Sequence, residues 1–289
     1  MLAPDILLSA VLNGLLTGAV YALIAVGLTL VYGVLHIINF AHGAILSAAM
    51  FAAYCAWVAG IDPYLALLVL APLFFGLGYG LQRLVISPAS HGEDQNILLV
   101  TLGLSILIEN ALNAAFHSDT RSIDVPYGLD TLDLGFTFLP MPRVIAFMVA
   151  CLVALALWFL LTRTDTGKAI RAVAKEKYGA SLMGIDVAHI YAVTFGLGAA
   201  CLAVSACLLL PSYYVNPRVG EAYVLVAFTI VVFGGMGSVP GALIGGLIIG
   251  VIESLTGLFF GESLGQLGIF LIFILMLLMR PTGLFGARA

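Results

Sequence analysis

Residues 6 to 61 contain no Asp, Glu, Lys or Arg. A helix rises 1.5 Å per residue and needs about 20 apolar residues to cross a hydrocarbon core of about 30 Å, so this stretch is long enough for two crossings. Backbone N–H and C=O groups in lipid must be satisfied within the protein, which leaves helices and closed barrels as the only spanning structures. Barrel strands read as alternating segments of about ten residues, and none is visible. The whole chain follows the same pattern, with 62% hydrophobic and 9% charged residues against roughly 25% charged in soluble domains. The expected fold is all-α, a polytopic membrane protein with a single transmembrane domain over residues 1–289.

Two spans fit within 6–61, broken by the polar "HIINFAHG" at 36–43. Further apolar segments lie at 64–82, 97–116, 144–161, 190–210, 222–237, 240–260 and 265–279. The firmly apolar part of 222–237, "VLVAFTIVVF", would make only about 15 Å of helix, half a bilayer. It runs into the glycine-rich "GGMGSVPGALIGG" at 234–246, where irregular backbone requires protein or water cover. The expectation is therefore about eight or nine transmembrane helices with broken or re-entrant segments. The start "MLAPDILLSA" has no basic region, so no cleavable leader is expected.

Orientation follows from the cations. Alternating outward from a cytoplasmic 163–188 loop puts Arg83, Arg163, Lys168, Arg171, Lys175, Lys177, Arg280 and Arg288 inside, with only Arg121, Arg143 and Arg218 outside. The positive-inside rule then places the N-terminus outside and the C-terminus in the cytoplasm. The 117–143 loop, with Asp119, Asp124, Asp130 and Asp133, lies outside.

Four cysteines (Cys55, Cys151, Cys201, Cys207) all fall in apolar segments without metal spacing and read as small packed residues. Glycines four apart (Gly14 with Gly18, Gly76 with Gly80, Gly241 with Gly245, Gly246 with Gly250) read as close helix packing. Intramembrane carboxylates are costly, so Glu109, with Asn110 and Asn113 beside it, and Glu253 are either the polar lining of a path or carboxyls hydrogen-bonded between helices. His36 and His42 are six residues apart, about 120° around a helix, which argues against shared chelation. With Asn39 they suggest a helix break near a pathway. No nucleophile–base arrangement is present, and no catalytic residue, metal, cofactor or nucleic-acid partner is expected.

Five of the eleven cations fall in "RTDTGKAIRAVAKEKYGASLMGID", 163–186. Asp165 or Thr166 can cap a helix here, with Lys168, Arg171 and Lys175 on one stripe, Ile170, Val173, Ala174 and Tyr178 on another, and Gly179 as its stop. From the residues alone three readings stand: a loop whose charges set topology, a helix on anionic lipid, or a docking helix for a cytoplasmic partner.

The segment 164–187 resembles the cytoplasmic loop of permease subunits of branched-chain amino acid ABC importers, in which Glu176 and "ASLMG" (Ala180 to Gly184) form a relaxed version of the importer "EAA…G" signature. "INFAHG" (38–43), "TLGLSILIEN" (101–110), "GGMGSVPGALIGG" (234–246) and "RPTGLFG" (280–286) are similar to hallmarks of that family in the same order. The resemblance implies a permease of the bacterial inner membrane whose 163–188 loop couples to a separate ATPase through Lys168, Arg171, Lys175, Glu176, Ala180 and Gly184. It also implies a second permease subunit, similar or identical, and a periplasmic substrate-binding protein, which would dock on the 117–143 loop; membrane lipid surrounds the complex. This chain has no P-loop: its one "GK", Gly167-Lys168, is followed by Ala169, and Thr162 stands where the first glycine belongs. Asn39, His42, Glu109, Asn110 and Glu253 are the candidates for the translocation path. The rival readings are a self-sufficient secondary transporter or channel, and a structural membrane subunit with no path.

Overall fold

The computed structural model describes residues 4–90, 94–133, 135, 137–261, 264–280 and 283–285. The helices are α1 (Pro4–Leu35), α2 (Ala41–Val58), α3 (Pro63–Leu81), α4 (Ser87–Ser90) and α5 (Asp94–Phe116), then α6 (Met141–Arg163), α7 (Asp165–Lys175) and α8 (Lys177–Leu182), and finally α9 (Val187–Leu209), α10 (Val219–Gly234), α11 (Val239–Phe260) and α12 (Gly265–Met279). A π-helical stretch, Gln82–Ile86, joins α3 to α4. A two-stranded antiparallel ribbon, β1 (Thr131–Asp133) and β2 (Phe138–Pro140), closes the loop before α6. Among the described residues, seven helices are long and apolar enough to cross a membrane, and α10 and α12 are two shorter apolar ones.

Burial separates a core from a shell. In α1 and α9, 89% of the apolar window is buried inside the protein, against 22% in α6 and α11 and 11% in α5. The shell helices turn apolar stripes outward, such as Leu65, Leu68, Leu73 and Leu77 on α3 and Met148, Leu152, Leu155 and Phe159 on α6. Faces of that kind suit a lipid surround, because acyl chains solvate leucine as well as another leucine does.

The connections sort into two ends. His36, Gln82 and Lys175 to Lys177 line one cavity, and Leu284 and Phe285 donate their N–H groups to Phe233 O and Gly234 O at the same end. At the opposite end Arg121 pairs with Val215, Tyr127 donates to Asp62, and Ile6, Arg143 and Gly261 share a cavity. Seven cations (Arg83, Arg163, Lys168, Arg171, Lys175, Lys177, Arg280) belong to the first end, and Arg121, Arg143 and Arg218 to the second. Arg288 lies outside the described residues, as do Pro281, Thr282 and Gly286 of the terminal "RPTGLFG".

Both expected breaks turn out to be connections at the first end. The 234–246 stretch is a tight turn between antiparallel helices: Gly235 and Gly237 take φ of +100° and +83°, a region that an L side chain rarely enters, and Ser238 caps α11 by accepting from Gly241 N. The span before it is longer than its apolar part, because α10 starts at Val219 and has 16 residues. The 36–43 break spans residues 36–40 and so takes in the first two residues of "NFAHG". α1 ends at Leu35, His36 takes φ +57°, and α2 resumes at Ala41 with His42 already helical.

Glycine spacing brings α1 and α11 together. A Cβ on Gly14 would lie 2.7 Å from Gly250 O, and one on Gly18 2.7 Å from Gly246 O. Gly76 and Gly80 have nothing within 4 Å, so that pair makes no contact within this chain. Gly18→Leu is expected to cost about 3 kcal/mol through overpacking, read as a lowered Tm in detergent, while Gly76→Ala leaves Tm unchanged or raised. The cysteines divide likewise: Cys201 and Cys207 are buried as expected, but Cys55 and Cys151 are exposed on outward helix faces.

Candidate functional site

The cationic segment folds as two short helices hinged on α6. Thr164, not Asp165 or Thr166, caps α7: its Oγ1 accepts from Gly167 N at 3.1 Å and donates to Leu160 O at 2.6 Å. A side chain on Gly167 would run into the carbonyls of Leu160 and Leu161, so the elbow is sharp because that residue is glycine. The Arg171 guanidinium donates back to Leu161 O. Ile170 and Val173 are buried where α7 packs on α6, α1 and α9. The elbow thus holds α7 against the two core helices, α1 and α9. Thr164→Ala is expected to cost about 1 kcal/mol of capping, seen as faster amide exchange over residues 165–175.

The signature residues build this corner. Glu176 ends α7 and caps α8, its Oε1 accepting from Tyr178 N at 3.0 Å. Ala180 is 5% exposed and packs inward. Gly179 lies within α8 and does not stop the helix; the stop is Gly184, at φ +81°, where Ile185 N returns to Ala180 O. Lys168 pairs with Asp165 at 2.9 Å, both side chains exposed, and this bond with the neighbouring charge holds the Asp165 carboxyl below its usual range. The groups left facing outward are Tyr178, Leu182 and Met183, at 70%, 71% and 83% exposure, with Lys175 and Lys177 beside them. A single helix would put Tyr178 on one stripe with Ile170, Val173 and Ala174; the break at Glu176 separates it from that stripe and leaves it exposed. Leu182 and Met183 lie inside "ASLMG" but were not singled out there, and only the second helix makes them neighbours of Tyr178. Behind the corner is a cavity of about 650 Å³ whose walls include His36, Gln82, Lys175, Glu176 and Tyr191.

The intramembrane polar residues fall into three places. Asn39 and His42 are 4% and 1% exposed. Asn39 Oδ1 accepts from Ala41 N at 3.0 Å, starting α2, and His42 Nε2 meets Ile24 O of α1 at 3.1 Å. Glu109 accepts from Ser105 Oγ at 3.0 Å and lines a polar cavity of about 360 Å³ with Asn110, Asn113, Asn216 and Arg218. Glu253 lines a separate cavity of about 790 Å³ with Tyr21 and Arg143. Asn216 and Arg218, from the α9–α10 connection, complete the Glu109 cavity; no spacing in the sequence pointed to them. Among the described residues no cluster of three metal-ligating side chains is present.

The loop 117–143 is tied down at several points. Tyr127 donates to Asp62 Oδ2 at 2.8 Å and stacks on Tyr64 with centroids 5.4 Å apart. Burial and this carboxylate raise the Tyr127 phenol well above its ordinary value, so the bond persists at neutral pH. Arg121 lies over the rings of Tyr54 and Phe116. Asp119, Asp124, Asp130 and Asp133 remain exposed.

Buried core helices inside a shell of outward apolar faces, with polar side chains within the spans, describe a multi-pass membrane protein. The chain belongs to the branched-chain amino acid transport system permease component family, which matches residues 10–279. It is 34% identical to the high-affinity branched-chain amino acid transport system permease protein BraD of Pseudomonas aeruginosa, over 96% of this chain and 95% of that protein. It is 32% identical to LivH of Escherichia coli K12, a permease protein of the same kind of system, over the same shares. Its fold is shared by a chain of PsaBC from Streptococcus pneumoniae, solved in complex with a Fab, at a TM-score of 0.53 and 17% identity, covering 94% of this chain and 92% of that one.

Proposed function

We propose that this chain is the inner-membrane permease subunit of an ABC importer for branched-chain or related amino acids. In this reading separate ATPase subunits hydrolyse ATP in the cytoplasm, a periplasmic protein delivers the substrate, and a second permease subunit completes the path. The observation that carries it is the α7–α8 corner. Tyr178, Leu182 and Met183 form an apolar ridge flanked by lysines at the cation-rich end, and their backbone is anchored to the core helices α1 and α9 through α7. An apolar ridge with charges beside it is what a groove on a partner receives. The positive-inside rule makes that end cytoplasmic, with the N-terminus outside and the C-terminus inside.

The path runs along α5. Glu109 lies about 22 Å along this helix from its start, and Asn110 and Asn113 are exposed on the same stretch. Lipid does not cover such a face without cost, so a second permease subunit or water covers it, and the Glu109 cavity becomes part of the wall between two subunits. Exposed carboxylates on the 117–143 loop form the surface on which the binding protein sits. The test is uptake of radiolabelled leucine, isoleucine and valine into proteoliposomes. Uptake is expected only when the ATPase, the binding protein and ATP are all present; ion-driven uptake by this chain alone would refute the importer reading in favour of a secondary transporter.

A further inference from the structure

Glu253 and Arg143 face a cavity that the path along α5 does not use. It lies between the outer part of α1, the first turn of α6, the end of α9, and α11 with its connection to α12. Both side chains are half-buried. The Tyr21 phenol lines the same cavity as Glu253. Arg143 is close enough to act on that carboxylate electrostatically, yet among the described residues the only ion pair within 4.0 Å is Lys168 with Asp165. The Arg143 guanidinium donates no hydrogen bond among the described residues. An internal salt bridge would have been the cheapest way to keep both charges in a membrane protein. Instead a carboxylate and a guanidinium stand apart across about 790 Å³, with Asn13, Thr17, Tyr213 and Ser254 supplying further polar groups.

We infer that this cavity is a binding site for a small zwitterion, whose anionic group meets Arg143 and whose ammonium meets Glu253. Guanidinium recognises carboxylate or phosphate oxygens through paired N–H donors, and a carboxylate accepts the N–H donors of a primary ammonium. The geometry selects against purely anionic and purely cationic ligands, since each would leave one charge of the pair uncompensated. Two sources carry this chemistry: the phosphoethanolamine headgroup of a lipid, and a free α-amino acid. The amino-acid source rests on the transport reading and the lipid source does not; binding itself is read without ATPase or uptake.

The test uses the full chain in nanodiscs. One arm holds phosphatidylethanolamine in a phosphatidylcholine background and reads retained lipid by native mass spectrometry. The other holds phosphatidylcholine alone and reads radiolabelled leucine by scintillation proximity. Wild type is expected to retain one of the two ligands, and Arg143→Gln and Glu253→Gln each to weaken retention at least tenfold, with Arg121→Gln unchanged. Retained ethanolamine lipid without leucine binding identifies the headgroup; leucine binding without lipid retention identifies the free amino acid. In a Cys55→Ser/Cys151→Ser background that removes the exposed native thiols, Thr17→Cys reports the cavity directly, and its thiol labelling is expected to slow at least tenfold when leucine, or phosphatidylethanolamine in the nanodisc, is present. Absence of both ligands, retention unaffected by both charge substitutions, or thiol labelling indifferent to ligand overturns the inference.

Discussion

Leu182→Asp/Met183→Asp is expected to lower ATP-driven uptake by about 100-fold or more while leaving membrane insertion and Tm unchanged. Both side chains are exposed, so the substitutions disturb no packing within the chain. At a protein interface a buried apolar anchor contributes about 2 kcal/mol or more, and each 1.4 kcal/mol is about tenfold in affinity. Losing two anchors and burying two carboxylates in a groove therefore removes the ATPase from the complex. Lys168→Ala at the same corner is expected to matter little, since its bond with Asp165 is an exposed surface pair. Uptake assays on the three proteins, with detergent-resistant assembly measured alongside, check both statements. Full activity in the double variant would mean that the ridge is not a docking surface.

The second large effect is expected on α5. Glu109→Leu/Asn110→Leu removes a carboxylate and an amide from a spanning helix. If lipid covered that face, the change would stabilise the chain, because a charged residue at the centre of a membrane helix costs about 2.5–3.5 kcal/mol on insertion scales. Transport would then be unaffected. If the face lines a path between subunits, uptake falls by about tenfold or more, with Tm equal to or above that of wild type. Thermal unfolding and uptake measured on one preparation separate the two outcomes, because the lipid reading predicts unchanged activity and the path reading a loss, while neither predicts a lowered Tm.

Much of the fold was legible because membrane spanning is a strong constraint. The charge-free 6–61 stretch and the apolar segments predict nearly every spanning helix, and the Gly14–Gly18 and Gly246–Gly250 spacings read as close packing without saying that α1 and α11 are the partners. The span before the glycine-rich turn was misjudged because apolarity alone defined it, whereas 265–279 coincides with α12. α10 gains length from Val219 to Tyr223, a stretch that includes Glu221 and that hydropathy sets aside. The glycine-rich turn after it looked like broken helix because positive φ in a tight turn and irregular backbone in a membrane draw on the same residue.

The site was legible in part. The cationic segment stood out by charge, but charge pointed to Lys168, Arg171 and Lys175, whereas Lys168 pairs within α7 and Arg171 ties the elbow to α6. The signature residues Glu176, Ala180 and Gly184 make the cap, the packing and the turn that present Tyr178, Leu182 and Met183. Those three become a ridge only after the helix breaks at Glu176, and a break between two charged residues leaves no hydropathy signal. Likewise Asn216 and Arg218 reach Glu109 across more than a hundred residues of sequence, a proximity that only the packed helices create.

Co-purification tests the central claim most directly. Tagged wild-type chain and the Leu182→Asp/Met183→Asp variant are extracted side by side from native membranes in mild detergent, and the retained proteins are identified by mass spectrometry. The account predicts an ATPase subunit in stoichiometric amount with wild type and its loss from the variant, both chains being equally folded. Wild type that brings down no ATPase in several mild detergents, or a variant that keeps it, would contradict the assignment of α7 and α8 as the coupling element.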